Sequence, residues 1–103
     1  MEKIEYVYHF VSSKDWKKYE NQSFYDPPSL KEEGFIHCCI DTQFKYVIDN
    51  YFKNIKEIYV LKIHVSSLDV KMLMEKDKRE VHFPHIYGII NSDAIEEIII
   101  IKT

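Results

Sequence analysis

The chain has 103 residues, 46% of them hydrophobic and 15% aromatic, enough to bury one modest core without disulfides. Seventeen acidic and fourteen basic residues leave a formal charge of −3, too balanced for a nucleic-acid-binding stripe. With only two glycines, neither a Gly-x-Gly-x-x-Gly turn nor a Walker loop can be written.

From Ile4 to Phe10, Ile4, Tyr6, Tyr8 and Phe10 alternate with Glu5, Val7 and His9, the period-two pattern of a first strand. Ser12 stands three residues before Asp15, a capping signal for a short helix through Tyr19. Asp26-Pro27-Pro28 breaks the chain, and Ser29 is placed to cap a second short helix with Glu32 and Glu33 in its first turn. Gly34 is expected to end that helix in a left-handed conformation and lead into a strand from Phe35 to Ile40.

The clearest helix runs from Thr42 to Lys53, where Phe44, Val47, Ile48, Tyr51 and Phe52 make one apolar stripe with Gln43 and Asn50 beside it. Glu57 to His64 reads as a strong strand and Val70 to Met74 as another, followed by a charged loop from Glu75 to Glu80. A strand near Ile86 to Ile90, a turn over Asn91 to Ala94 and a last strand from Ile98 complete the chain. Strands and short helices intermix without a repeat or linker, which predicts one α+β domain over residues 1–103.

Met1-Glu2-Lys3-Ile4-Glu5 lacks the basic stretch and apolar core of a signal peptide, and the longest aliphatic run, Ile98 to Ile101, is far short of a membrane span. The two cysteines are sequence neighbours and are not expected to bridge each other. A cytoplasmic protein with reduced thiols and no membrane partner is expected.

Histidine is the residue type suited to acid–base work and phosphate contacts near neutral pH. His9 shares a strand face with Val7 and Val11, His37 with Phe35 and Cys39, and His85 with Tyr87 if Pro84 opens an extended segment. Three histidines thus interrupt apolar faces in three strands; either they line one cleft or each is a core histidine bonded to backbone. His64 at a strand end and His82 in a charged loop are expected in solvent. His82 and His85 with Cys38 and Cys39 make a poor zinc pattern, because zinc cysteines usually stand about two to four residues apart, so no metal is expected. Either cysteine as a nucleophile lacks a recognisable orienting partner, and a small buried hydrophobe is the simpler reading. Tyr87 and then Tyr25 are candidates to stack on a base or nicotinamide ring. Gln43 and Asn50 can hydrogen-bond a ligand from the helix edge or stand as ordinary exposed amides. Glu75 is a catalytic carboxylate or the first charge of a solvated loop.

Tyr8-His9-Phe10-Val11-Ser12 with Trp16, Pro28-Ser29-Leu30-Lys31-Glu32-Glu33-Gly34-Phe35-Ile36-His37-Cys38, and Phe83-Pro84-His85-Ile86-Tyr87-Gly88 together resemble three signatures of the family termed domain of unknown function 952. Gln43, Asn50, Phe52 and Glu75 match further positions, and the likeness spans nearly the whole chain. Cys39 departs from it, since Ser or Thr is expected after His-Cys. The resemblance implies a small relative of the ADP-ribosyltransferase superfamily, whose split, mostly antiparallel sheet holds NAD in a cleft. By that resemblance His9 takes an early-strand role against a ribose, and His37, His85 and Tyr87 complete a catalytic set. Ser12, Ser29, Gln43, Asn50 and Glu75 are the matching candidates for ligand binding. The third motif holds no glutamate, which argues against protein ADP-ribosylation. The expected ligand is NAD, as substrate, or a related small nucleotide, with ribosyl or phosphate transfer or hydrolysis as the chemistry; nucleic acid is not the expected partner. The rival reading is a non-catalytic binding or interaction module on the same fold.

Overall fold

Backbone pairing in the computed structural model, which describes residues 3–103, sorts eight strands into three antiparallel sheets. The first has the order β1 (Tyr6–Ser12), β4 (Glu57–His64), β8 (Ile95–Lys102). The second pairs β2 (Phe24–Tyr25) with β7 (Ile90–Asn91). The third has the order β3 (Ile36–His37), β6 (His82–Tyr87), β5 (Lys71–Lys76). Three short helices, α1 (Ser13–Trp16), α2 (Pro28–Glu33) and α3 (Phe44–Tyr51), join them. The α+β class and antiparallel pairing match the expectation. Met1 and Glu2, part of the signal-peptide reading, lie outside the described residues. Among the described residues no helix is long and apolar enough to cross a membrane.

Strand β4 is the centre of the domain and occupies the span expected for it. Its two faces serve two cores. Ile58 and Val60 join Phe10 and Cys39 beneath Phe44, Val47 and Ile48 of α3 and Phe52 just past its end. Leu61 and Ile63 join Val7, Val11, Trp16, Tyr25, Ile36 and Ile86 on the other side. Each fully buried Ile, Leu or Val contributes about 1.5–3 kcal/mol, so these layers outweigh the helices, which are too short to be stable alone.

Several boundaries move, each for a local reason. β1 starts at Tyr6 and runs to Ser12, because β4 pairs it from His64 to Ile58. Ser12 caps α1 as expected, its Oγ accepting from the Asp15 amide at 3.2 Å, but α1 stops at Trp16, where the Tyr19 amide turns back to the Trp16 carbonyl. Pro28, which needs no amide partner, takes the first helical position of α2; Ser29 is therefore inside the helix and not its cap. Glu32 and Glu33 both fall beyond the first turn of α2, not in it. Gly34 does end α2 in the left-handed region at φ 87°.

The expected strand Phe35–Ile40 shrinks to two residues, since the Cys38 amide bonds the Pro84 carbonyl and Cys39 then exchanges two 2.8 Å bonds with Tyr8 of β1. The long helix divides into a 3-10 turn (Asp41–Gln43) and α3, and Tyr51 leaves the buried stripe with 62% of its surface exposed. β5 continues through Glu75 and Lys76, so the charged loop is only the turn of a hairpin. β6 begins at His82, earlier than expected, and Ile90 belongs to β7 instead. β8 begins at Ile95, not Ile98.

A Cβ on Gly88, at φ 155°, would lie 2.6 Å from Val70 Cγ1, whereas one on Gly34 meets nothing within 4 Å. Gly34→Ala is therefore expected to cost about 1–2 kcal/mol, the left-handed penalty alone. Gly88→Ala should cost more, about 2–4 kcal/mol, with part of the loss recovered by adding Val70→Ala. Urea unfolding of the three variants checks this; a Gly88→Ala cost no larger than that of Gly34→Ala contradicts the steric account.

Candidate functional site

The first and third sheets part where residues 35–39 cross between them, and a cleft of about 630 Å³ opens there. His9, Cys38 and Cys39 lie at its back. Val47, Tyr51 and Phe52 form one wall, and Phe35, His37 and His85 the other. Lys76, Asp77 and Lys78, on the β5–β6 hairpin, stand at its edge. The three histidines of the sequence motifs therefore do share one cleft.

They do not share one role. His9 is only 8% exposed and both ring nitrogens are engaged. A carbonyl can only accept, so Nδ1 carries the proton and donates to the His37 carbonyl at 2.6 Å. Nε2 then accepts from the Tyr25 hydroxyl at 2.7 Å. Burial drives the His9 pKa down to about 4, from an ordinary value near 6.5. His9 is thus a neutral tie between β1, β3 and β2. Tyr25 is itself buried against Trp16 and Tyr19, with its ionisation opposed mainly by burial, so it offers no open face for a ligand ring.

His37 and His85 are direct cross-strand partners on β3 and β6, their ring centroids 5.4 Å apart and nearly perpendicular. Each gives one nitrogen to a carboxylate. His37 Nε2 meets Glu33 Oε2 at 2.7 Å, and His85 Nδ1 meets Glu75 Oε1 at 2.9 Å. The Tyr87 hydroxyl donates to the same Glu75 oxygen. That hydroxyl first, and His85 second, hold the Glu75 carboxyl below its ordinary pKa, and Glu75 in turn raises that of Tyr87. Phe35 stacks on the His85 ring at 4.0 Å and 20° and touches His37 edge-on at 4.8 Å. The remaining nitrogens, His37 Nδ1 and His85 Nε2, have no hydrogen-bond partner among the described residues. His37 is exposed, while His85 is nearly enclosed.

The thiols behind the histidines are unsuited to nucleophilic work at neutral pH. Burial pushes Cys39 up to about 12 and Cys38 well above its ordinary value. Among the described residues no three metal-ligating side chains converge on a common point.

The other candidates have separate placements. Ser29 lines the cleft from α2. Ser12 spends its hydroxyl on the α1 cap. Gln43 accepts from the Ile40 amide at 3.0 Å and donates to the His82 carbonyl at 2.8 Å, tying α3 to β6. Asn50 bonds the Tyr46 carbonyl on the exposed side of α3. Tyr87 lies beside the cleft with its hydroxyl on Glu75. Phe35, Glu33, Lys76 and Lys78 were not singled out from sequence. The spacing Glu33-x-x-x-His37 resembles a helical pair, but Gly34 ends the helix between them and hides the signal.

The family model described as protein of unknown function (DUF952) matches residues 10–98. Protein CC0527 from Caulobacter crescentus has a similar fold. Its X-ray structure gives a TM-score of 0.79 at 18% identity, covering 91% of this chain and 83% of that one. Its solution NMR structure gives 0.76 at 19% identity, covering 93% and 84%. No curated protein matches the chain.

The buried His9 makes stability depend on pH. As pH falls below about 6.5 the unfolded chain takes up the His9 proton, while the folded chain does so only near 4. Stability is therefore lost on acidification across that window, by about 3 kcal/mol in total, and this group adds no pH dependence above it. His9→Gln removes the titration. The advantage of wild type over His9→Gln should shrink between pH 7.5 and about 4.5 in urea unfolding; a constant gap contradicts the buried neutral ring.

Proposed function

The chain belongs to the DUF952 family, and we propose that it binds a nucleotide of the NAD or ADP-ribose type in the cleft between its first and third sheets, on a fold related to that of ADP-ribosyltransferases. The observation that carries this reading is the meeting of His37 and His85 across β3 and β6, on the wall of a cleft edged by Lys76 and Lys78.

The cleft volume is within the range of small-ligand sites, about 300–1,000 Å³, and its walls are largely apolar with a few convergent polar groups. Tyr8, Phe10 and Phe52 give flat apolar surface to a base or nicotinamide. Lys76 and Lys78 suit phosphates, and His37 suits a phosphate or ribose hydroxyl. With no glycine-rich phosphate loop, such a ligand is held by side chains. His9 acts through the His37 carbonyl and positions the second motif, because its own nitrogens are occupied. Glu75 reaches the third motif from the neighbouring strand, but its carboxylate is committed to His85 and Tyr87.

Calorimetric titration with NAD, ADP-ribose and AMP tests the reading. Binding of at least one is expected, weakened about tenfold or more by Lys76→Ala with Lys78→Ala and weakened further by added salt. Absence of binding by all three at millimolar concentration overturns it.

A further inference from the structure

We infer that this cleft cleaves phosphodiesters of nucleotide size by paired histidine acid–base chemistry, with His37 as base and His85 as acid. The inference deepens the nucleotide-binding reading and rests on it for the seat of the base. Its ground is the arrangement of proton-transfer groups. Two imidazoles stand side by side and nearly perpendicular with ring centroids 5.4 Å apart, each anchored at one nitrogen by its own glutamate and each with its other nitrogen unpartnered among the described residues.

That equipment fits one class of reaction better than another. Loss of nicotinamide from NAD expels a neutral group and needs no acid, but it needs negative charge beside the ribose carbon as positive charge develops there. The carboxylates near the cleft are otherwise engaged. Glu33 and Glu75 are held by the histidines, and Asp77 in the cleft edge accepts from the Arg79 and Val81 amides at 2.8 and 3.0 Å. Hydrolysis of a phosphodiester instead expels a ribose alkoxide, a poor leaving group, and requires one proton removed and one supplied. Two oriented histidines meet that requirement.

Exposure assigns the roles. His37 stands on the open side, where water arrives, and Glu33 fixes its Nε2–H so that the Nδ1 lone pair is the base. His85 is enclosed under Phe35, and Glu75 holds its Nδ1 at 2.9 Å so that Nε2 is the nitrogen left to serve as the acid. His37 Nδ1 takes a proton from water as the water oxygen bonds to phosphorus. The bond from phosphorus to the ribose oxygen breaks, and His85 Nε2 gives that oxygen its proton. One water is consumed, a phosphodiester becomes a phosphomonoester and an alcohol, and no electrons are transferred. The proton on His37 returns to His85 through solvent.

The test incubates the full chain with 2′,3′-cyclic AMP in heavy-oxygen water and follows phosphorus NMR and product mass. Ring opening to one phosphomonoester is expected, with one solvent oxygen on phosphorus. His37→Asn and His85→Asn should each slow it at least about 100-fold, a far larger loss than either causes in AMP affinity. Because His85 is enclosed, melting of each variant is compared with wild type, and the exposed His37→Asn decides the matter if His85→Asn melts early. A wild-type rate equal to the buffer blank, or a His37→Asn rate equal to wild type, overturns the proposal. If AMP binds but cyclic AMP is not opened, the phosphodiester proposal falls and nucleotide binding stands. If bis-nitrophenyl phosphate is hydrolysed in a His37-dependent way while no nucleotide binds, the chemistry stands and the nucleotide reading falls.

Discussion

The architecture depends on four residues that hydrogen-bond first to one sheet and then to another. Ile36 and His37 pair with β6, the Cys38 amide bonds Pro84, and Cys39 pairs with Tyr8 of β1. A continuous strand would have fused the sheets; a free loop would have left buried amides without partners, at a cost of about 1–3 kcal/mol each. The crossing segment does neither, and holds the sheets at a fixed separation that leaves the cleft. His9 reinforces it from β1 through the His37 carbonyl, and Gln43 ties α3 to β6 alongside it.

This geometry explains a division of labour among residues that look equivalent in sequence. All three motif histidines sit on apolar strand faces. Only His9 has both nitrogens satisfied in the dry interior, where losing the ring would leave the Tyr25 hydroxyl and a backbone carbonyl stranded. His37 and His85 are held by carboxylates at the cleft and keep a nitrogen each for chemistry. The hydrogen bond of His37 to Glu33 is too exposed to contribute much stability, so its effect is to orient a ring.

Elements set by local pattern were legible in the sequence. β4 has long alternation and bounded ends, Ser12 and Gly34 are helix signals that act within a few residues, and the shared face of His9, Val7 and Val11 follows from strand period. What was not legible depends on pairing between distant segments. β2 and β7 are two residues each and carry no period. Glu75 heads a run of charges that reads as loop, yet β6 recruits it into a strand opposite Phe83 and so places it beside His85. Phe35 gives no sign in sequence that it stacks on a histidine fifty residues later. The cleft itself comes from where β3 stops, and no residue in β3 announces that end.

The two adjacent cysteines sit on the crossing segment, buried and with their thiolates disfavoured. A thiol-reactive dye reaches them only from the back of the cleft or when the seam between the sheets loosens, so its labelling rate reports on access to that joint. The molecule thus carries an intrinsic chemical gauge at its most consequential joint, and a ligand seated in the cleft registers on that gauge as slower labelling before any catalytic assay is available.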